Sequence, residues 1–64
     1  VEVKVYIKGK KEPLIYKGDR IDVLDFKIDN IDYKQIRYFN FKKGISKSEF
    51  VQKDIIKKIV EERE

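Results

Sequence analysis

Cysteine, histidine, tryptophan and methionine are all absent from this 64-residue chain, which has three glycines and one proline. Without cysteine there is no disulfide staple and no thiol nucleophile. Without histidine as well, the commonest zinc ligands are missing, and so is the side chain best suited to moving protons near neutral pH. Gly9, Gly18 and Gly44 are isolated from one another and make no phosphate-cradling loop. No run approaches the ~20 apolar residues of a membrane span. The longest apolar stretch is Pro13 to Tyr16. The first eight residues alternate polar and apolar, unlike the apolar block of a signal peptide. These absences predict a soluble, cytoplasmic protein with no membrane partner. Ser46 and Ser48 have no evident base beside them, and a carboxylate pair such as Asp22 and Asp25 needs a cleft that so short a chain has little room to build. The chain therefore reads as a non-enzyme, with no cofactor or metal implied.

What is present is charge. Lysine and arginine number 16, aspartate and glutamate 12, for a net charge of +4. The distribution is uneven. Residues 1–20 are net +3, residues 21–32 net −3, residues 33–48 net +5 and residues 49–64 net −1. The basic block is free of acids: Lys34, Arg37, Lys42, Lys43 and Lys47 are interleaved with Tyr33, Tyr38, Phe39 and Phe41. Cations among aromatics can bind a phosphate backbone and stack bases, or can be one core strand with a solvated edge. The acidic block, Asp22, Asp25, Asp29 and Asp32, lacks the spacing of a calcium loop. It reads as a solvated strand face and turn.

A chain of this size is one domain, residues 1–64, with a single thin core. Val1, Val3, Val5 and Ile7 alternate with Glu2, Lys4, Tyr6 and Lys8, the period of a half-buried antiparallel strand. Gly9 to Glu12 predicts a turn, Leu14 to Lys17 a second strand opened by Pro13, and Gly18-Asp19 another turn. Residues 21–29 admit two readings. Ile21, Leu24, Ile28 and Ile31 have helical spacing, but the β-branched and aromatic content favours a strand, with a bulge near Val23-Leu24 to absorb a change of phase. Asp29 to Asp32 predicts a hairpin turn, and Lys34 to Lys42 a fourth strand. Ser46 and Glu49 then fit a capping box, with Ile45 and Phe50 as its staple. Val51, Ile55, Ile56, Ile59 and Val60 fit one face of a helix starting at Lys47. The expected architecture is α+β: a four-stranded antiparallel meander, partly barrel-like, with one C-terminal helix packed on one face, in the order ββββα. Its expected core is Val3, Val5, Ile7, Ile15, Leu24, Phe26, Ile28, Phe39, Phe41, Val51, Ile55 and Ile59.

In such a meander, strands one and four would share an open face. That face would gather Lys4, Tyr6, Lys8, Lys34, Tyr38 and Lys42, lysines for phosphates and tyrosines for bases. The first functional expectation is a small binding domain that contacts single- or double-stranded nucleic acid through these six residues. The alternative is a small regulatory or interaction protein, of the type carried by phages and mobile elements. It would bind a protein partner or pair with itself as a homodimer, through a strand edge or the Ile56 and Val60 flank. Exposed tyrosines and lysines also stabilise and protect a sheet without any ligand.

The stretch Val3-Lys4-Val5-Tyr6-Ile7-Lys8-Gly9-Lys10-Lys11-Glu12, followed by Ser46 to Glu49 at a helix start, resembles in outline the small basic chromatin proteins of thermophilic archaea. The resemblance implies an N-terminal hairpin, a small barrel and a C-terminal helix. It covers about a quarter of the chain. The family's glycine-rich central hairpin and surface tryptophan are missing, and Asp22, Asp25 and Asp29 fall where a DNA-facing sheet would be neutral or basic. It is an analogy of architecture.

Overall fold

A computed structural model describes residues 1–63. Six strands follow one another: β1 (Glu2–Ile7), β2 (Leu14–Lys17), β3 (Arg20–Ile28), β4 (Ile31–Asn40), β5 (Ile45–Gln52) and β6 (Ile56–Glu62). They form two three-stranded antiparallel sheets, ordered β2-β1-β6 and β3-β4-β5. Among the described residues the only helical piece is a 3-10 turn, Lys53–Ile55. The expected four-stranded meander and C-terminal helix are therefore both overturned, as is the α+β class.

Each connection has a local cause. Gly9 takes φ +80 in the turn after β1, where the Lys10 N–H donates to the Ile7 carbonyl at 3.2 Å. Between β2 and β3 the chain passes from the first sheet to the second at Gly18. A Cβ there would lie 2.7 Å from the Phe39 carbonyl oxygen, so only glycine lets the two strands come this close. Asp29 and Asn30 take φ of 48 and 65, the two left-handed positions of a tight β3–β4 hairpin. Phe41 to Gly44 close the β4–β5 hairpin, with Gly44 at φ +64. The 3-10 turn then carries the chain back to the first sheet, where β6 pairs with β1.

The core lies between the sheets. Val3, Val5 and Ile7 of β1, Tyr16 of β2, Ile21 of β3, Ile36 of β4 and Val51 of β5 are buried, with Val1, Val23, Tyr38, Ile56 and Ile59 packed around them. Each full burial of such a side chain contributes ~1.5–3 kcal/mol. Two hydrogen bonds cross from sheet to sheet. The Tyr16 hydroxyl donates to Glu49 at 2.6 Å, and the Arg63 guanidinium donates to the Ile21 carbonyl at 3.1 Å. Burial, reinforced by the bond to the Glu49 carboxylate and its charge, pushes the Tyr16 hydroxyl well above the usual phenol range.

The helix fails for identifiable reasons. Gly44 closes a hairpin instead of opening a helix, so Ser46 comes opposite Phe39 in the ladder and Glu49 is taken by Tyr16. Val51, Ile55, Ile56, Ile59 and Val60 are all β-branched and suit a pleated surface. Their helix-like spacing comes from the 3-10 turn and from a bulge: Tyr6 faces Lys58 and Ile7 faces Ile56, leaving Lys57 as an extra residue in β6.

Inward and outward faces also differ from expectation from β2 onward, where Tyr16 faces inward and Ile15 outward. The β3–β4 register runs unbroken from Arg20↔Phe39 to Ile28↔Ile31, so there is no bulge at Val23-Leu24. Ile21 and Val23 face inward, and Leu24, Phe26 and Ile28 are exposed. Ile15, Phe41 and Ile55 are exposed as well, and Phe39 lies on an outward face, half-buried. Val3, Val5, Ile7 and Val51 are buried as expected, and Ile59 packs at the core's edge.

Candidate functional site

The six residues expected to share one face are dispersed, because β1 and β4 lie in different sheets. Lys4 and Tyr6 stand on the outward face of the first sheet. Lys4 is 3.5 Å from the Glu62 carboxylate, and the Lys58 ammonium sits 4.8 Å from the centre of the Tyr6 ring. Lys8 follows β1, its N–H bonded to the Ile55 carbonyl at 2.9 Å. Lys34 and Tyr38 share the opposite, inward face of the second sheet. Lys34 is bound to Asp25 at 2.6 Å, and Tyr38 packs on Tyr16 with ring centres 5.5 Å apart. Lys42 lies in the β4–β5 loop. No surface unites these six.

The aspartates do not converge either. Asp22 and Asp25 emerge on opposite faces of β3. Arg20 bonds Asp22 at 3.2 Å, whereas Lys34 and Lys53 surround Asp25. The hydrogen bond and charge of Lys34, with Lys53 beside it, hold the Asp25 carboxyl below the usual carboxylate range.

A different concentration of cations stands at the β4–β5 hairpin end. The register places Arg20, Phe39 and Ser46 side by side on the outward face of the second sheet, with Asp22, Arg37 and Ser48 in the next row. The guanidiniums of Arg20 and Arg37 lie 5.7 and 5.6 Å from the centre of the Phe39 ring. On the inward side of the same end, Lys17, Tyr38, Asn40, Lys43, Ile45 and Lys47 line an open hollow of about 180 Å³. Between the two sides is the loop. Phe41 is 65% exposed there, beside Lys42 and Lys43. The loop is held in shape by short bonds. Asn40 Oδ1 accepts the Lys43 N–H at 3.2 Å, the Phe41 carbonyl accepts the Gly44 N–H at 3.2 Å, and Asp19 accepts the Phe41 N–H at 2.8 Å.

The charges here are largely unanswered. Among the described residues Arg37, Lys42, Lys43 and Lys47 enter no ion pair, as is also true of Lys8, Lys10, Lys11, Lys27, Lys57 and Lys58 elsewhere; what sets this end apart is that its four stand at one hairpin end with Phe39 and Phe41. Four such cations repel one another and attract an anion. Most of them belong to the acid-free block already visible in the sequence. Lys17 and Arg20 join only because the Gly18 bend brings the β2–β3 junction against Phe39, and no spacing in the sequence announces that. No helix among the described residues is long and apolar enough to cross a membrane. Compared with protein-family models, curated proteins and solved structures, the chain matches none.

Proposed function

We propose that this chain is a small non-enzymatic binding domain whose β4–β5 hairpin end contacts nucleic acid, with the cytoplasm as its place of work. The observation that carries this reading is the gathering at one hairpin end of four cations that enter no ion pair among the described residues: Arg37 beside the outward Phe39, Lys42 and Lys43 beside the exposed Phe41 in the loop, and Lys47 on the inward side. In this reading Arg37, with the hydroxyls of Ser46 and Ser48, meets phosphates on the outward face, Lys42, Lys43 and the inward Lys47 follow the backbone past the hairpin end, and Phe41 takes a base on its ring. Guanidiniums already stacked on Phe39 are held in place before the ligand arrives, which lowers the entropy cost of binding.

The test is fluorescence anisotropy with a labelled single-stranded oligonucleotide and its duplex over a series of salt concentrations. Four phosphate contacts on a single strand predict a roughly 50-fold loss of affinity between 50 and 200 mM salt. Replacing Lys42, Lys43 and Lys47 by glutamine should flatten the logarithmic salt slope by about 2. Replacing Lys4 and Lys34, which are held by carboxylates, should leave it nearly unchanged. Equal effects of the two sets, or no binding at low salt, would remove the proposal.

A further inference from the structure

The outward face of the second sheet has a second half, beyond the arginines. Toward the β3–β4 hairpin, the rows Leu24–Gln35–Phe50, Phe26–Tyr33–Gln52 and Ile28–Ile31 carry no charge at any of eight positions. In a chain that is 44% charged, so long an uncharged run across three neighbouring strands is not an average sample of the composition. The side chains are large. Leu24, Phe26, Ile28, Ile31 and Phe50 each leave 40–47% of their surface open. Phe26, Phe50 and Tyr33 pack against one another, with Phe26–Phe50 ring centres 5.3 Å apart and Tyr33–Phe50 6.3 Å.

We infer that this uncharged half-face is a homodimer interface, occupied by the same half-face of a second copy. The first argument is area. Large side chains present ~150–250 Å² each, so five of them at this exposure leave roughly 400 Å² of apolar surface. That is about half of the ~800 Å² a standard interface buries on each partner, and apolar surface makes up somewhat more than half of such an interface. Gln35 and Gln52 supply the half-face's polar groups, and the Asp22–Arg37–Ser48 row lies outside it. The second argument is composition, since interface centres are enriched in aromatics and depleted of charge.

The third argument is electrostatic. Two chains of net charge +4 repel each other, so self-association needs a contact surface free of cations and a geometry that keeps the cationic ends apart. A two-fold axis crossing the strands at the level of Phe26 and Tyr33 meets both conditions. It lays the uncharged half-faces on each other and points the Arg20–Arg37 ends in opposite directions. An uncharged surface has no such selectivity for an acidic or basic partner. The dimer would present two cationic ends, one at each extremity.

The test is sedimentation equilibrium of the full chain without nucleic acid, so that its outcome is independent of the binding assay above. The expected result is a monomer–dimer equilibrium in the micromolar range, ordinary for an interface of this size. The double substitution Phe26→Asp with Phe50→Asp should weaken it by at least about a hundredfold. Far-UV circular dichroism checks that this variant stays folded. Ile15→Asp, on the outward face of the first sheet, should leave it unchanged. Because the chain has no cysteine, a single Tyr33→Cys should form an interchain disulfide on oxidation and Ser46→Cys, at the far end of the face, should not. A chain that stays monomeric at about 500 µM, a dimer indifferent to the double substitution, or one abolished by Ile15→Asp would overturn the inference.

Discussion

The outward faces of the two sheets use similar residues in opposite ways. On the first sheet most of the cations have partners: Lys4 has Glu62, Lys17 has Glu2 and Lys58 lies over Tyr6, while Lys57 at the β6 bulge enters no ion pair among the described residues. On the second sheet charge is segregated. Arg20 and Arg37 crowd one end around Phe39, and the other end carries none. A surface whose charges are paired internally has little to offer a ligand, because any new contact must first break an existing one. The segregated face has one end that seeks an anion and another that seeks apolar cover. The contrast locates function by what the fold leaves unsatisfied and not by which residue types are abundant.

The strongest test of this contrast compares buried with outward isoleucine. Ile36 is fully buried at the centre of the second sheet, whereas Ile15 stands outward on the first. Ile36→Ala should cost ~2–5 kcal/mol in urea unfolding, and Ile15→Ala within about 0.5 kcal/mol. Similar costs would mean that the inward and outward faces have been exchanged.

A smaller effect tests the tie between the sheets. Tyr16→Phe removes the hydroxyl that reaches Glu49 and should cost about 1–2 kcal/mol at neutral pH. It should also change the alkaline limb of the stability curve. The native chain holds the Tyr16 proton to a higher pH than the unfolded chain does. Its contribution is therefore complete below the ordinary phenol value of about 10 and is lost as pH rises beyond it. Unfolding measured from pH 8 to 11 should show the native and variant curves converging, because burial and the Glu49 carboxylate both hold the proton on. Parallel curves would show that the hydroxyl is not enclosed between the sheets beside Glu49.

The smallest effect concerns Asp25. Its carboxyl titrates below the usual range because Lys34 and Lys53 favour the charged form. The resulting stabilisation is present above about pH 4, the unfolded value, and disappears as pH falls through the lower folded one. Lys34→Met should therefore be slightly less stable than the native chain at pH 6, and the gap should narrow below pH 4. A gap that persists in acid would point to packing of the lysine stem instead.

The first two strands, the turn at Asp29-Asn30 and the acid-free block were legible in the sequence, because alternation, turn chemistry and charge runs are local properties, whereas residues 21–32 admitted both strand and helix. Burial in β1 was legible for the same reason. From β2 to β4 it was not: Ile15 was expected inside and is exposed, while Tyr16 is buried. Ile21 and Val23 are less conspicuous than Leu24, Phe26 and Ile28, yet the smaller set faces inward, because the second sheet turns a large apolar face outward. The Ser46–Glu49 pattern misled because a capping box specifies a helix only where tertiary pairing does not compete, and here β4 offers β5 a full ladder. The expected face of Lys4, Tyr6, Lys8, Lys34, Tyr38 and Lys42 depended on which strands are neighbours, a long-range property that alternation cannot report.

The pairing of β1 with β6 has a consequence for how the molecule assembles. Glu2 meets Glu62, so the first sheet closes only when nearly the whole chain has been gathered into one loop. The second sheet is built from two hairpins between near neighbours in sequence. Loop-closure entropy makes the near pairings cheap and the terminal one expensive. The order of events follows: the face that carries both the arginines and the uncharged aromatics is organised early, and the strand that completes the core arrives last.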